Sequence, residues 1–418
     1  MNRLSQILVM RLCVVLAFIL LLTEWIPADA RRALPERQAQ TDLSASRLIP
    51  SVVYMTTDRH LHELALMNGS WHDADLTVAA GGAPLVDGTF SALRRGDGIS
   101  AIYYLGQYDS DNLSHLYELR LEGGVWKWSD LTLISGAPLA VYYNTTESYV
   151  RSDGITAVVF HGGYYNSHLF ELRLEDTWKW SDLTPTPGTP LPGGGGSAYV
   201  RSDNISTVVY TGGSDYHIYE LRLESVWVWA DLTAAASAPT NHEGYSRAYR
   251  RSDGVSSVIF VPYNDYHVNE LWLGGDGWHH TDLTTQTGSP VADSYSIPFP
   301  YVRGDGINAV LYRTGVNHIG ELRLDNGWKY FDMQTAANAP TECTSPQGYV
   351  RADGITAVVC KTPGVIGPFH IYEARLAPGG WIWSDLTSIS AAPQIWGGVF
   401  AYNRGWPYEV CLPLIMKP

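Results

Sequence analysis

Trp227-Val228-Trp229-Ala230-Asp231-Leu232-Thr233 is one copy of a phrase that returns through the chain at intervals of 49 to 55 residues. Its seven copies begin at Trp71, Trp126, Trp178, Trp227, Trp278, Trp328 and Trp381. A period of that length marks a propeller or solenoid, in which each unit buries its apolar face only against its neighbours. Two further phrases keep step with it. His-(Leu/Ile/Val)-x-Glu-Leu precedes each Trp, at His60, His115, His168, His217, His267, His318 and His370, the last copy ending in Ala374. Arg-x-Asp-Gly lies further upstream, at Arg95, Arg151, Arg201, Arg251, Arg303 and Arg351. Asn204 replaces the Gly in one copy, and Asn tolerates the left-handed turn conformation nearly as well.

Each unit reads as four strands. Around residues 197–233 these are Ser197 to Val200, Ile205 to Tyr210, His217 to Leu223 and Val226 to Thr233, separated by Asp-, Asn- and Gly-rich turns. The chain begins and ends out of phase with this unit. Val52-Val53-Tyr54 is a second strand with no first strand before it, whereas Phe400-Ala401-Tyr402-Asn403-Arg404 repeats the first strand after the seventh unit. The reading is therefore an all-β, seven-bladed β-propeller of four-stranded blades over residues 47–418. Its ring is closed by the C-terminal strand joining the N-terminal blade, which leaves no free sheet edge. Tyr408 to Leu412 competes for the place of the Val52 strand.

The chain has 418 residues, 45% hydrophobic and 17% charged, with 40 Gly and 23 Pro. That length exceeds what one ordinary core can serve, and a ring of small cores removes the difficulty. A net charge of −14 with no basic run excludes nucleic acid and anionic membrane surfaces as partners. Residues 1–30 read as a signal peptide, with Arg3 and Arg11 before the apolar Leu12 to Leu22 and a small-x-small site at Ala28-Asp29-Ala30; the alternative is an uncleaved anchor, its apolar stretch extended back to Ile7 across Arg11. Residues 31–46 read as a flexible leader. The expected location is extracellular, with cell-envelope association open and no membrane insertion after cleavage. For Cys343, Cys360 and Cys411 two readings stand: a disulfide from Cys360 to either Cys343 or Cys411, or three reduced thiols.

The first Trp of each pair reads as structural, since a buried indole removes about 150–250 Å² from water, at most about 4–6 kcal/mol. The second, at Trp128, Trp180, Trp229 and Trp383, gives way elsewhere to Ala74, to Thr281 with His280, and to Tyr330. That variability suits a surface platform. Glu118, Glu171, Glu220, Glu270, Glu321 and Glu373 recur on the third strand. Arg120, Arg173 and Arg222 stand two residues after three of them, on the same strand face. A Glu accepting sugar hydroxyls beside a stacking Trp would bind a pyranose without catalysis.

The unit Asp-Gly-Ile-x-Ala-Val-Val-Tyr, then His-Ile-Tyr-Glu-Leu, then Trp-x-Trp resembles the blade of the fungal fucose-specific lectins and related seven-bladed bacterial lectins. The resemblance covers about residues 47–418 and implies sugar sites in the clefts between blades, each using an Arg, a Glu and an aromatic. The Glu position matches the six glutamates above. The family's Arg position holds Ala here, as at Ala157 and Ala357, so Arg120, Arg151 and their counterparts would supply the cation.

Paired carboxylates gathered at one end of the ring, as glycosidases need, are not seen, nor is Gly-x-Ser-x-Gly. His60 with His62, and His279-His280, show no Cys or carboxylate at ligand spacing, so neither a metal nor another cofactor is expected. The conclusion is a secreted, non-catalytic lectin with several weak glycan sites, for fucose or O-methylated sugars among the candidates, its oligomeric state open. The alternative is a scaffold that binds a protein or cell-envelope partner through one face of the disc, to which the insertions Tyr142 to Glu147 and Tyr295 to Pro300 lend weight.

Overall fold

The computed structural model describes residues 48–405 except 142–144, 164–167, 186–187, 242–245, 295, 337–338, 341 and 363–368. The expected signal peptide and leader, Cys411 and the Tyr408 to Leu412 segment lie outside the described residues. Within them the chain forms seven antiparallel four-stranded blades in a ring, numbered here 1 to 7 in the order of their Trp phrases. Blade 1 takes Leu48–Thr56, Leu61–Met67 and Ser70–Asp75 from the N-terminal side. Ile395–Gly405 joins it as the innermost strand, so the ring closes as the sequence implies. The closure is chemical as well as geometric: Tyr402 donates to Glu63 across 339 residues of chain, at 3.1 Å, and Arg404 pairs with the same carboxylate at 3.0 Å.

Blade 4 shows why the repeated words are what they are. Its strands are Ser197–Val200, Ser206–Thr211, Ile218–Leu223 and Trp227–Asp231. The fourth strand ends two residues earlier than the sequence suggests because Asp231 caps a short helix, Leu232–Ala236. Its Oδ1 accepts the Ala234 N–H at 2.8 Å, satisfying a donor that the helix itself cannot. Its Oδ2 holds His217 Nδ1 at 2.7 Å, pinning the start of the third strand to the end of the fourth. Leu232 is fully buried, and Thr233 Oγ1 accepts the Ile218 N–H at 2.8 Å. The His–Asp pair recurs in all seven blades at 2.7 to 2.9 Å. In blade 3 Pro185 removes the N–H such an Asp would accept, and Asp182 takes that of Thr184 instead, at 2.9 Å. The turn glycines Gly98, Gly154, Gly254, Gly306 and Gly354 have φ of 81° to 88°, and Asn204 takes 66°, so it serves as the sequence reading expects.

Blade 3 is extended by Leu113–Ser114 and Ala140–Val141 into a six-stranded sheet. In blade 7 a disulfide joins Cys343 to Cys360, ahead of the first strand and on the second, settling the pairing in favour of that alternative. Its separation of 17 residues corresponds to about 3 kcal/mol in loop entropy. No helix among the described residues is long and apolar enough to cross a membrane.

The cores lie between blades rather than within them. Tyr199, Val209 and Ile218 of blade 4 pack with Val258, Phe260 and Leu271 of blade 5, and equivalent clusters repeat around the ring. His161 occupies the place that Leu105 fills in blade 2, and burial holds its imidazole down, to about 4, with His168 contributing less. The folded value lies below the unfolded one, so this contribution is complete above about pH 6.5 and is lost as pH falls toward 4, up to about 3 kcal/mol. His161→Leu is expected to abolish that acid sensitivity. Denaturant midpoints at pH 7.5 and pH 5 for the two chains check it; an equal drop in both would refute the assignment.

Candidate binding clefts between blades

The third-strand glutamates are almost wholly buried: Glu118, Glu171, Glu270 and Glu373 are 1% exposed, and Glu220 and Glu321 not at all. Each meets the Arg of the Arg-x-Asp-Gly turn in its own blade. Arg201 spans Glu220 at 3.0 Å and Asp203 at 2.7 Å. Arg95, Arg151, Arg251, Arg303 and Arg351 reach Glu118, Glu171, Glu270, Glu321 and Glu373 at 2.9 to 3.6 Å. Arg404 with Glu63 makes the seventh such pair. Tyrosines add hydrogen bonds, from Tyr149 to Glu171 at 3.0 Å and from Tyr301 to Glu321 at 2.9 Å. Burial pushes the carboxyls of Glu171, Glu220, Glu270 and Glu373 above their usual range, and the facing guanidinium opposes it.

The residues two positions on behave differently from one another. Arg120 reaches both Glu118, at 3.4 Å, and Ser129, at 2.6 Å; Arg222 reaches Glu220 at 3.2 Å; Arg173 turns to Ser181 and Glu175.

Trp128, Trp180 and Trp229 are exposed by 39% to 45%, as a surface platform would be. Each packs edge-on against a ring of the third strand, Trp229 against Tyr219 with centroids 5.9 Å apart. Trp383 is different: it is 3% exposed and its indole donates to the Met333 carbonyl at 3.3 Å. Ala374 lies opposite it where the other blades have Leu, and the indole fills the space, so Trp383 is core and not platform. Register also corrects the replacements: Asp73, not Ala74, and His280, not Thr281, occupy the second-Trp position.

Strand pairing separates the two halves of the site expected from sequence. Trp229 stands opposite Leu221, whereas Glu220 stands opposite Ala230, so Trp229 and Glu220 point to opposite faces of one sheet. A sugar stacked on the second Trp of a blade cannot also reach the Glu of that blade. Besides the first-strand tyrosines, the indole that faces a Glu comes from the next blade. Trp328 of blade 6 donates to Glu270 of blade 5 at 3.2 Å.

That junction opens into a cleft of about 250 Å³ lined by Arg251, Val255, Glu270, Trp272, Thr281, Gln286 and Trp328. It opens because blade 5 has Trp272 where Arg120, Arg222 and Arg323 stand. Instead of covering Glu270, Trp272 lies along the blade, stacked on His279 with centroids 4.3 Å apart and donating to Thr281 at 3.2 Å. Glu270 is held by Ser257 at 2.7 Å and Arg251 at 3.4 Å. Of this cleft the sequence reading singles out Glu270 and, as the counterpart of Arg151, Arg251. The available signal for the rest was Trp272 in the Glu-x-Arg series, which is otherwise broken only by Ala65 of blade 1.

The histidines read as lacking carboxylates do have them. His60 meets Asp75, His62 meets Asp73, and His279 meets Asp276. For His60 and His62, strand pairing supplies the partner from the far side of a hairpin, where spacing along the chain cannot show it, whereas Asp276 lies only three residues before His279.

No family model and no curated protein matches the chain. Among solved structures, the chain is similar to the BP39L lectin from Burkholderia pseudomallei, at 12% identity over 80% of this chain and 96% of that one, with a TM-score of 0.51. It is also similar to a putative 6-phosphogluconolactonase from Bacteroides fragilis, at 8% identity over 85% and 98%, with a TM-score of 0.53. The fucose-specific lectin from Aleuria aurantia matches at 12% identity over 67% and 89%, with a TM-score of 0.40. At such identities the likeness is one of fold.

Proposed function

We propose that the chain is a secreted, non-catalytic carbohydrate-binding protein whose principal site is the cleft between blades 5 and 6. The observation that carries this reading is the convergence there of an indole, a guanidinium, a carboxylate and a hydroxyl around a space of about 250 Å³. That is slightly below the usual span of small-molecule sites, roughly 300–1,000 Å³, and suits a single pyranose. The apolar face of the sugar stacks on Trp328 or Trp272, while Arg251, Thr281 and Gln286 supply hydrogen bonds to its hydroxyls. Glu270 acts chiefly by fixing Arg251 and presents the edge of its carboxylate to the ring. In the other blades the glutamates organise weaker sites, with Arg120, Arg173 and Arg222 as the cations at the mouth. Fucose and O-methylated sugars suit a site with this much apolar surface.

Trp272→Arg restores the side chain found in blades 2, 3, 4, 6 and 7, so it preserves the fold while covering Glu270. On a glycan array, it is expected to lower binding at least tenfold, about 1.4 kcal/mol. Undiminished binding by this variant would remove the cleft from the account. A second reading, docking of a protein partner, draws on the exposed apolar rim of blades 2 to 4, formed by Trp128, Leu133, Ile134, Trp180, Val226 and Trp229. A blank array with that rim protected from exchange by an envelope extract would favour it.

A further inference from the structure

Blade 1 departs from the repeat at two positions, and the departures meet. Two residues after the repeat His, blades 2, 3, 4 and 7 carry Tyr117, Phe170, Tyr219 and Tyr372, whereas blade 1 carries His62. At the second-Trp position, where Leu119 faces Trp128 in blade 2, Leu64 of blade 1 faces Asp73. His62 stands directly opposite Asp75, which is already the partner of His60. Two imidazoles and two carboxylates thus share one face of one hairpin.

We propose that His60, His62 and Asp75 form a site for a divalent transition metal ion of the kind Zn²⁺ represents. One donor atom from each lies within 4.8 Å of the others. Asp75 Oδ2 is 2.7 Å from His60 Nδ1 and 3.8 Å from His62 Nε2. Bonds of about 2.0–2.1 Å in a tetrahedral zinc site set donors about 3.3 Å apart, so the two contacts of Asp75 adjust by roughly half an ångström and the two imidazoles close by up to about 1.5 Å from the 4.8 Å that bounds the group. On binding, the ion takes the place of the proton between His60 Nδ1 and Asp75: a neutral His60 then carries its one proton on Nε2, and an imidazolium keeps the Nε2 proton and releases the Nδ1 proton to solvent. Asp75 Oδ1 remains the helix cap, accepting the Val78 N–H at 2.9 Å, so the ligand oxygen is positioned from behind.

The residues around these three complete the argument. Asp73 lies 3.2 Å from His62 Nδ1 and itself accepts a hydrogen bond from Tyr54. A proton held on Nδ1 by that carboxylate leaves the Nε2 lone pair facing Asp75, the relay by which metal-bound histidines are oriented. His60, Asp75 and His62 have side chains exposed by 25%, 28% and 9%, which gives an ion entry from solvent and leaves a fourth position to water. In the other six blades the His–Asp pair stands without His62 and remains a structural tie.

The test is calorimetric titration of the untagged full chain, stripped with chelator, using Zn²⁺ alone. Wild type is expected to take up one more ion per chain than His62→Tyr, which installs the residue of blades 2, 4 and 7. Asp73→Asn is expected to keep that stoichiometry and weaken the dissociation constant by about 10- to 100-fold. Equal uptake by wild type and His62→Tyr overturns the proposal, as does no uptake by wild type. Should His62→Tyr fail to fold, an unchanged affinity in Asp73→Asn overturns it equally.

Discussion

A chain ending at residue 394 is expected to lose its cooperative unfolding transition altogether. Ile395–Gly405 is the innermost strand of blade 1, and its removal exposes the row of backbone donors and acceptors on Leu48–Thr56. It also takes away Ile395, Val399 and Tyr402, which are 0%, 3% and 7% exposed. Loss of a large buried aromatic alone costs about 3–5 kcal/mol. Glu63, 2% exposed, would lose both Arg404 and Tyr402, and a buried charge left without its partner costs a further 3–5 kcal/mol or so. Those two terms already reach the typical net stability of a domain, about 5–15 kcal/mol, before the opened edge is counted. Urea denaturation followed by tryptophan fluorescence is the check. A truncated chain with an undiminished slope and midpoint would show that the ring does not depend on this closure.

The second large effect is expected at Glu220. Glu220→Ala strands Arg201, whose side chain is 9% exposed, with only Asp203 to balance it, and removes an acceptor from Arg222. A loss of about 3–5 kcal/mol follows, the magnitude for breaking a buried pair at one partner. Glu220→Gln keeps a hydrogen-bond acceptor of the same shape and is expected to cost less than half as much. Arg201→Met in the Glu220→Ala background should recover part of the loss, since an apolar pair leaves no lone charge. A double-mutant cycle on denaturant midpoints measures this coupling, and strictly additive losses would show that the two side chains do not depend on each other. The seven Arg–Glu pairs are therefore first of all a structural ring, and their role at a sugar site is to aim the guanidinium.

Blade architecture was legible because each repeated word answers a local demand. Asp231 caps, Leu232 packs, Thr233 accepts a strand N–H and His217 ties the hairpin, all through groups that sequence spacing brings together. The out-of-phase ends announced the closure for the same reason. The site was less legible because it depends on which sheet face meets which neighbour. Glu220 and Trp229 look adjacent in sequence terms but point apart, while Glu270 and Trp328, 58 residues distant, share a hydrogen bond. Trp383 shows the same limit: only the small Ala374 opposite it makes the indole a core residue. Spacing also hid the carboxylates that pair with His60 and His62.

The most direct measurement is a crystal structure of the chain grown with the sugar that binds best on a glycan array. The account expects a pyranose between blades 5 and 6, its apolar face against Trp328 or Trp272 and its hydroxyls within hydrogen-bond distance of Arg251. A sugar seated instead on the outer faces of Trp128, Trp180 or Trp229, with the cleft at Glu270 empty, would contradict it.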